Sequence, residues 1–150
     1  PAHMVLASWE ENGLLKSIIT QNVDGLHRRA GSQRVLEIHG NIWRVRCTSC
    51  SFSSILEEPA GGVPLCPECN ELLRPDVVWF GESLDAGLMN KAMVQPAASF
   101  PMIVKQNHGK LIEINPDTTP LSEYVAIRLG GRAGEILPEI DKMLNMPSSA

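Results

Sequence analysis

The sequence predicts an α/β fold that carries a small metal-stabilised insert. Two observations predict it. Short apolar runs rich in β-branched residues, such as Leu14–Thr20, alternate with segments of helical pattern that stop at glycine. Buried parallel strands with covering helices need that alternation. The second observation is four cysteines in two matched pairs, set in a loop-rich stretch with few apolar residues. The chain has 150 residues and is 43% hydrophobic, enough for one domain with a real core.

Ala2–Asn12 carries apolar groups at Met4, Val5, Leu6 and Trp9 and is followed by Gly13, which predicts a helix with a glycine cap. Leu14–Thr20 ends in Ile18, Ile19 and Thr20 and predicts a buried parallel strand. Asp24–Ala30 is short and polar, stops at Gly31, and predicts a brief helix. Val35–Ile38 predicts another short strand. Ile42–Cys69 reads as loop, with Pro59-Ala60-Gly61-Gly62-Val63-Pro64 inside it. Val77–Phe80 predicts a strand edge. Helices are predicted over 84–93 and 96–106, strands over Leu111–Ile114 and Tyr124–Arg128, and a closing helix over Gly134–Leu144 with Pro138 near its first turn. The two central helices follow each other with only Val94 and Gln95 between them. In a parallel sheet a helix returns the chain to a strand before the next helix begins, so a strand is missing there.

Cys47-Thr48-Ser49-Cys50 and Cys66-Pro67-Glu68-Cys69 are separated by 15 residues and hold every cysteine of the chain. Each CxxC turn points two thiolates at one centre, and two turns fill a tetrahedral zinc ion. No position remains for water, so the zinc is expected to be structural. Two disulfides in a secreted domain are the alternative. The CxxC spacing and the lack of a signal peptide argue for a reducing compartment, the cytoplasm. The weak core of the insert would draw its stability from the ion.

Net charge is −4, and no run of Lys or Arg stands out. That argues against a nucleic-acid module, which carries a basic face. No apolar stretch approaches membrane-spanning length, so no membrane partner is expected.

Thr20-Gln21-Asn22-Val23-Asp24-Gly25-Leu26-His27 lies just past a predicted strand end, where open α/β sheets bind ligands. Gln21, Asn22 and Asp24 would offer two amides and a carboxylate to one crevice, a set able to hold a carboxamide and a ribose. Equally, Asn22 and Asp24 are good caps for the following helix. His39, in Glu37-Ile38-His39-Gly40, closes the next strand directly before the cysteine insert. An imidazole there could serve as a general base near neutral pH, or could be an ordinary core or surface histidine. Trp79 and Phe80 could be core aromatics. Asn115-Pro116-Asp117 fits a turn after a strand.

Taken in order, these stretches resemble the sirtuin family of NAD-dependent protein deacylases. The resemblance rests on Thr20–His27, Glu37–Gly40, the two CxxC pairs, Arg74-Pro75-Asp76-Val77-Val78-Trp79-Phe80-Gly81-Glu82, Leu111–Asn115 and Gly131–Pro138. The Val-Val-Trp-Phe-Gly-Glu form is most similar to the bacterial, archaeal and mitochondrial desuccinylase-like branches. It implies a Rossmann-like parallel-sheet domain with a zinc-ribbon module inserted. Residues 1–41 and 74–146 would belong to the NAD-binding domain, 42–73 to the zinc module, and 147–150 to a disordered tail. It implies that Gln21, Asn22, Val23 and Asp24 hold the nicotinamide and its ribose, that Asn115, Pro116 and Asp117 contact the adenosine ribose, and that Ala133 lies by the adenine. His39 would be the base. Val78, Trp79, Phe80 and Gly81 would pair with an acyl-lysine protein or peptide as an added strand. The implied reaction removes an acetyl or succinyl group from lysine and yields nicotinamide and O-acyl-ADP-ribose. A non-catalytic zinc-stabilised binding module and a protein ADP-ribosyltransferase are the rival readings.

The chain departs from the family pattern in two places. That pattern has a Gly-Ala-Gly-x-Ser turn before the position of Pro1, and a strand ending in Gly-Thr-Ser between the positions of Met93 and Val94. Both are expected in the parent protein, as phosphate-binding segments that gain order from the bound anion.

Overall fold

The computed structural model describes residues 1–58, 61–82 and 100–145. The described elements are α1 (Ala2–Glu11), β1 (Ile18–Thr20), α2 (Leu26–Arg29), β2 (Val35–Glu37), β3 (Gly40–Cys47), β4 (Ser53–Ile55), β5 (Leu73–Val77), α3 (Phe100–Gln106), β6 (Ile112–Ile114), β7 (Ile127–Leu129) and α4 (Ala133–Leu144). The helix expected over 84–93, the start of the one expected over 96–106, the strand expected between Met93 and Val94, and the tail 147–150 lie outside the described residues.

The elements fall into two compact units. One holds Pro1–Lys16, Ala30–Gln33 and the described part of Gln95–Ala150. Here β6 and β7 pair in parallel, with Ile112 against Ile127 and Ile114 against Leu129. Helix α1 is fastened to α4 by Trp9, whose indole N–H donates to Asp141 Oδ1 at 2.7 Å. Glu10 is buried and accepts the Gln33 N–H at 3.1 Å. The expected strand from Leu14 begins only at Ile18. The amides of Leu14 and Leu15 instead donate to the Trp9 carbonyl, at 2.8 and 3.0 Å, and so satisfy the end of α1. Similarly, the strand expected from Tyr124 starts at Ile127, because Tyr124 N closes a turn onto Leu121 O.

The second unit holds Ser17–Arg29 and the described part of Arg34–Val94. Strands β1 and β2 pair in parallel, Ile18 to Val35 and Thr20 to Glu37. Ile18, Val35 and Ile38 are buried and form the core beside this pair. Strand β3 then runs antiparallel to β4 on one edge and to β5 on the other. The loop-rich stretch Ile42–Cys69 therefore contributes most of β3 and all of β4 to an antiparallel sheet that β5 completes. Its strands are held by main-chain pairing, with only Val45 and Cys47 of β3 well buried among apolar groups. The strand expected at Val77–Phe80 lies earlier, at Leu73–Val77, and includes Pro75. Proline is tolerated there because, among the described residues, β5 is an edge strand paired only with β3.

At the junction of β2 and β3, Gly40 has φ +81°. A Cβ at that position would overlap the carbonyl of Asp76 across the ladder. Both the left-handed backbone and the close approach demand glycine. Gly40→Ala is expected to destabilise the protein by roughly 3 kcal/mol or more, combining backbone strain with displacement of β5. Chemical denaturation of the variant against the parent measures it.

Candidate active site and metal centre

The four cysteines come together as their spacing demanded. Their Sγ atoms all lie within 4.8 Å of one another. Cys47 and Cys69 are 3.4 Å apart, and Cys50 lies 3.6 Å from both Cys66 and Cys69. A tetrahedral ion with Zn–S bonds of about 2.3 Å sets its sulfurs roughly 3.8 Å apart. Disulfide sulfurs sit about 2.05 Å apart, so the cluster has metal-site and not disulfide geometry. The backbone N–H groups of Ser49 and Cys50 donate to Cys47 Sγ at 3.3 and 3.4 Å. These N–H groups, Cys50 first and then Ser49, hold the Cys47 thiol down to about 6. Cys50 moves the other way, to about 12. Its bond from the Phe52 N–H favours the thiolate, but burial and the neighbouring sulfurs of Cys69, Cys47 and Cys66 outweigh it. One thiolate is easy here and four are not, unless a cation neutralises them. The residues fit a structural zinc ion.

Further along the same unit, β1 delivers the turn Gln21–Asp24 and β2 delivers His39. The Asn22 N–H donates to Thr20 Oγ1 at 3.1 Å, and Asp24 Oδ1 accepts the Leu26 N–H at 3.0 Å. Asp24 thus does cap the start of α2. The turn is also stitched to β3. Ile42 N–H donates to Val23 O, and the Trp43 indole donates to Asp24 O, both at 2.9 Å. The side-chain amides of Gln21 and Asn22 are exposed and make no hydrogen bond among the described residues.

His39 Nδ1 lies 3.1 Å from the Gln21 carbonyl oxygen. A carbonyl can only accept, so Nδ1 is the donor, and in the neutral ring the lone pair is left on Nε2. The His39 carbonyl in turn accepts the Val78 N–H at 3.0 Å. His39 is half-buried and lines a groove of about 640 Å³ together with Val78, Trp79, Phe80 and Gly81. Trp79 is 57% exposed and Phe80 fully so, and neither packs into a core among the described residues. Val78–Gly81 is not a strand; it follows β5 and turns through Phe80 and Gly81, where φ is +86°.

Asn115, Pro116, Asp117 and Ala133 belong to the other unit. Asn115 follows β6 and its Oδ1 accepts the Asp117 N–H at 3.0 Å, closing the expected turn. Ala133 is the exposed first residue of α4.

Three features escaped the sequence reading. Glu37 and Asn41 are buried side by side. Asn41 Nδ2 donates to Glu37 Oε1 at 2.6 Å, while Arg28 and Arg44 flank the carboxylate at 3.6 and 3.7 Å. Glu113 accepts hydroxyl hydrogen bonds from Thr119 and Ser122, both at 2.5 Å, and with Arg128 nearby its carboxyl is held below its ordinary range. Arg74 and Glu82 form a two-pronged ion pair at 2.6 and 3.0 Å across the base of the Val78–Gly81 segment. Only the last had a signal, since both residues open and close one motif.

The Sir2 family model matches residues 1–107. The NAD-dependent protein deacylase of Thermococcus kodakarensis is 45% identical over 166 positions, covering 93% of this chain and 64% of the relative. NAD-dependent protein deacylase 1 of Archaeoglobus fulgidus is 47% identical over 158 positions, again covering 93% of this chain and 64% of the relative. The crystal structure of a Sir2 homologue–NAD complex superposes with TM-score 0.87 at 44% identity, covering 95% of this chain and 63% of that one. A Sir2–p53 peptide–NAD+ structure superposes with TM-score 0.85 at 33% identity, covering 97% of this chain and 70% of that one. The chain spans just under two thirds of the length of these curated relatives. The first match runs over 166 positions although the chain has 150 residues, so at least 16 positions of that relative have no counterpart inside the match. The mixed α/β architecture with its four-cysteine module agrees with these neighbours.

Metal analysis is expected to find one zinc per chain, and Cys47→Ser to lower stability sharply while chelation loosens the β3–β5 sheet first. Zinc-free protein of undiminished stability would refute this. A second expectation concerns acid. The Arg74 guanidinium, then the Trp79 N–H, holds the Glu82 carboxyl at about 2 against an ordinary 4.5. A depressed carboxyl stabilises the fold above its ordinary value and loses that stabilisation as pH falls. The pair should therefore persist at pH 5 and be lost between about 4.5 and 2, as NMR titration of Glu82 would show.

Proposed function

Because this chain belongs to the Sir2 family, we propose that it is the core of an NAD-dependent protein-lysine deacylase acting on acyl-lysine proteins or peptides. The observation that carries this reading is the shared groove of His39 and Val78–Gly81, with His39 Nδ1 held on the Gln21 carbonyl. That bond keeps the free lone pair on Nε2, which is what a base at this position needs. Nδ1–H stays on Gln21 O while Nε2 takes a proton, so the ring accepts charge without reorienting.

The exposed side-chain amides of Gln21 and Asn22, which make no hydrogen bond among the described residues, suit the polar groups of a nicotinamide riboside. Gln21, Asn22 and Asp24, with the Val23 backbone, would hold the nicotinamide riboside end through amide and carboxylate hydrogen bonds. Asn115, Pro116, Asp117 and Ala133 would hold the adenosine end. When bound, NAD would supply an electrophilic ribosyl carbon with nicotinamide as its leaving group, so that acyl-lysine, NAD and water would give lysine, nicotinamide and O-acyl-ADP-ribose. The zinc module, 42–73, would be structural and the remainder cofactor-binding. The compartment would be reducing, as thiolate ligation requires; we assign the cytoplasm.

Val78–Gly81 would bind the peptide through main-chain groups. Val78 N–H is already used by His39, and Trp79 N–H by Glu82. Val78 O, Phe80 N–H and Phe80 O have no partner among the described residues. These three are the groups offered to an added strand.

A panel of acetyl-, succinyl- and longer-chain lysine peptides, each assayed with and without NAD, tests the reading. NAD-dependent release of free lysine and O-acyl-ADP-ribose is expected. Label transferred to protein would favour ADP-ribosyl transfer instead, and no turnover would favour a binding module. His39→Ala should slow deacylation by about 10²–10⁴-fold with the fold and zinc content intact. Peptide mapping of the parent protein is expected to place a further segment between Met93 and Val94; finding the two joined would oppose catalysis.

A further inference from the structure

Arg74 and Glu82 stand at opposite ends of the segment that lines the groove, eight residues apart in sequence. Arg74 lies on β5 and Glu82 just past the turn at Gly81. The pair is doubly bonded, Nη1 to Oε1 and Nη2 to Oε2. Each partner also grips the main chain between them. Arg74 Nη2 donates to the Val77 carbonyl at 2.8 Å, and Glu82 Oε2 accepts the Trp79 N–H at 3.0 Å. Glu82 N–H closes the turn onto Trp79 O at 2.9 Å. The guanidinium lies 5.5 Å from the Trp79 ring centroid, within cation–π range.

An ordinary surface ion pair contributes little, because two long side chains must be held in one geometry. This one differs in what it encloses. Two main-chain groups of the turn, Val77 O and Trp79 N–H, are fixed by two side chains that also bond each other, and planar bidentate pairing makes the geometry specific to arginine. Among the described residues the turn has no β-ladder beyond Val77, and its remaining main-chain bonds are those of the Val78 and Glu82 amides. The side chain of Phe80 buries nothing and cannot hold it either.

We propose that Arg74 and Glu82 are a positioning pair. They hold the Val78–Gly81 turn in place beside His39, so that Val78 O and Phe80 N–H and O are pre-aligned for an incoming peptide strand. This rests on the deacylase reading above. A pre-aligned rail lowers the ordering cost paid on binding, so its loss should weaken peptide binding and leave the chemical step largely alone.

The test uses Glu82→Gln and Arg74→Lys in the complete, zinc-loaded protein. Glu82→Gln keeps the shape and sits in an exposed turn, so it is the variant that retains the fold; unchanged zinc content checks this. The peptide KM should rise about tenfold or more, with kcat within about threefold and the KM for NAD within about twofold. Hydrogen exchange at the Trp79 amide should speed up in both variants. Peptide KM within about twofold of the parent, with Trp79 exchange accelerated, would overturn the proposal, since the rail would then be loose without consequence. Direct titration with an acetyl-lysine peptide separates the two readings. A parent that binds peptide but does not turn it over refutes deacylation alone, and the variants' weaker or equal binding still decides the pair. A parent that binds no such peptide refutes the rail as well.

Discussion

At Gly40 the chain passes so near Asp76 that no side chain fits between them. This crossing ties the parallel β1–β2 pair to the antiparallel β3–β5 sheet. One residue before it, the His39 carbonyl holds Val78 N–H. One residue after it, Asn41 pairs with Asp76. The imidazole, the start of the zinc module and the start of the groove are thus placed by the same three residues. Asn41 adds a second fastening from below, through Glu37 and the Trp43 N–H. Move this crossing and the groove loses its wall and its base together.

The metal centre was legible from the sequence because its geometry is local. A CxxC turn fixes two ligands within four residues, and two turns fix the rest. Helix α1 and the closing helix α4 were legible for a similar reason, their patterns being short-range. The pairing of β3 with β5 was not. Cys47 meets Leu73 across 26 residues of chain, and neither strand shows clean apolar alternation, since arginines occupy Arg44, Arg46 and Arg74. Those arginines face carboxylates of partner strands and turns, a pattern that single-strand periodicity cannot show.

The site residues divide along the same line. Gln21, Asn22, Asp24 and His39 were found because they sit at strand ends, which is a topological rule and not a contact. For Asp24 the cap is observed, and it leaves half of the carboxylate unused. One carboxylate oxygen caps α2, and the other makes no bond among the described residues. Arg74 and Glu82 were visible as letters but not as partners, because a turn with a left-handed glycine had to bring them together.

That turn also gives the protein an optical consequence. The chain has three tryptophans. The indole of Trp9 is tied to Asp141 and that of Trp43 to Asp24 O. Trp79 alone stands largely in water, with a guanidinium against its face and its indole N–H unengaged among the described residues. Its emission should be the most red-shifted of the three and the most sensitive to what enters the groove. Occupancy of the site would then report itself as intrinsic fluorescence, without a label on either partner.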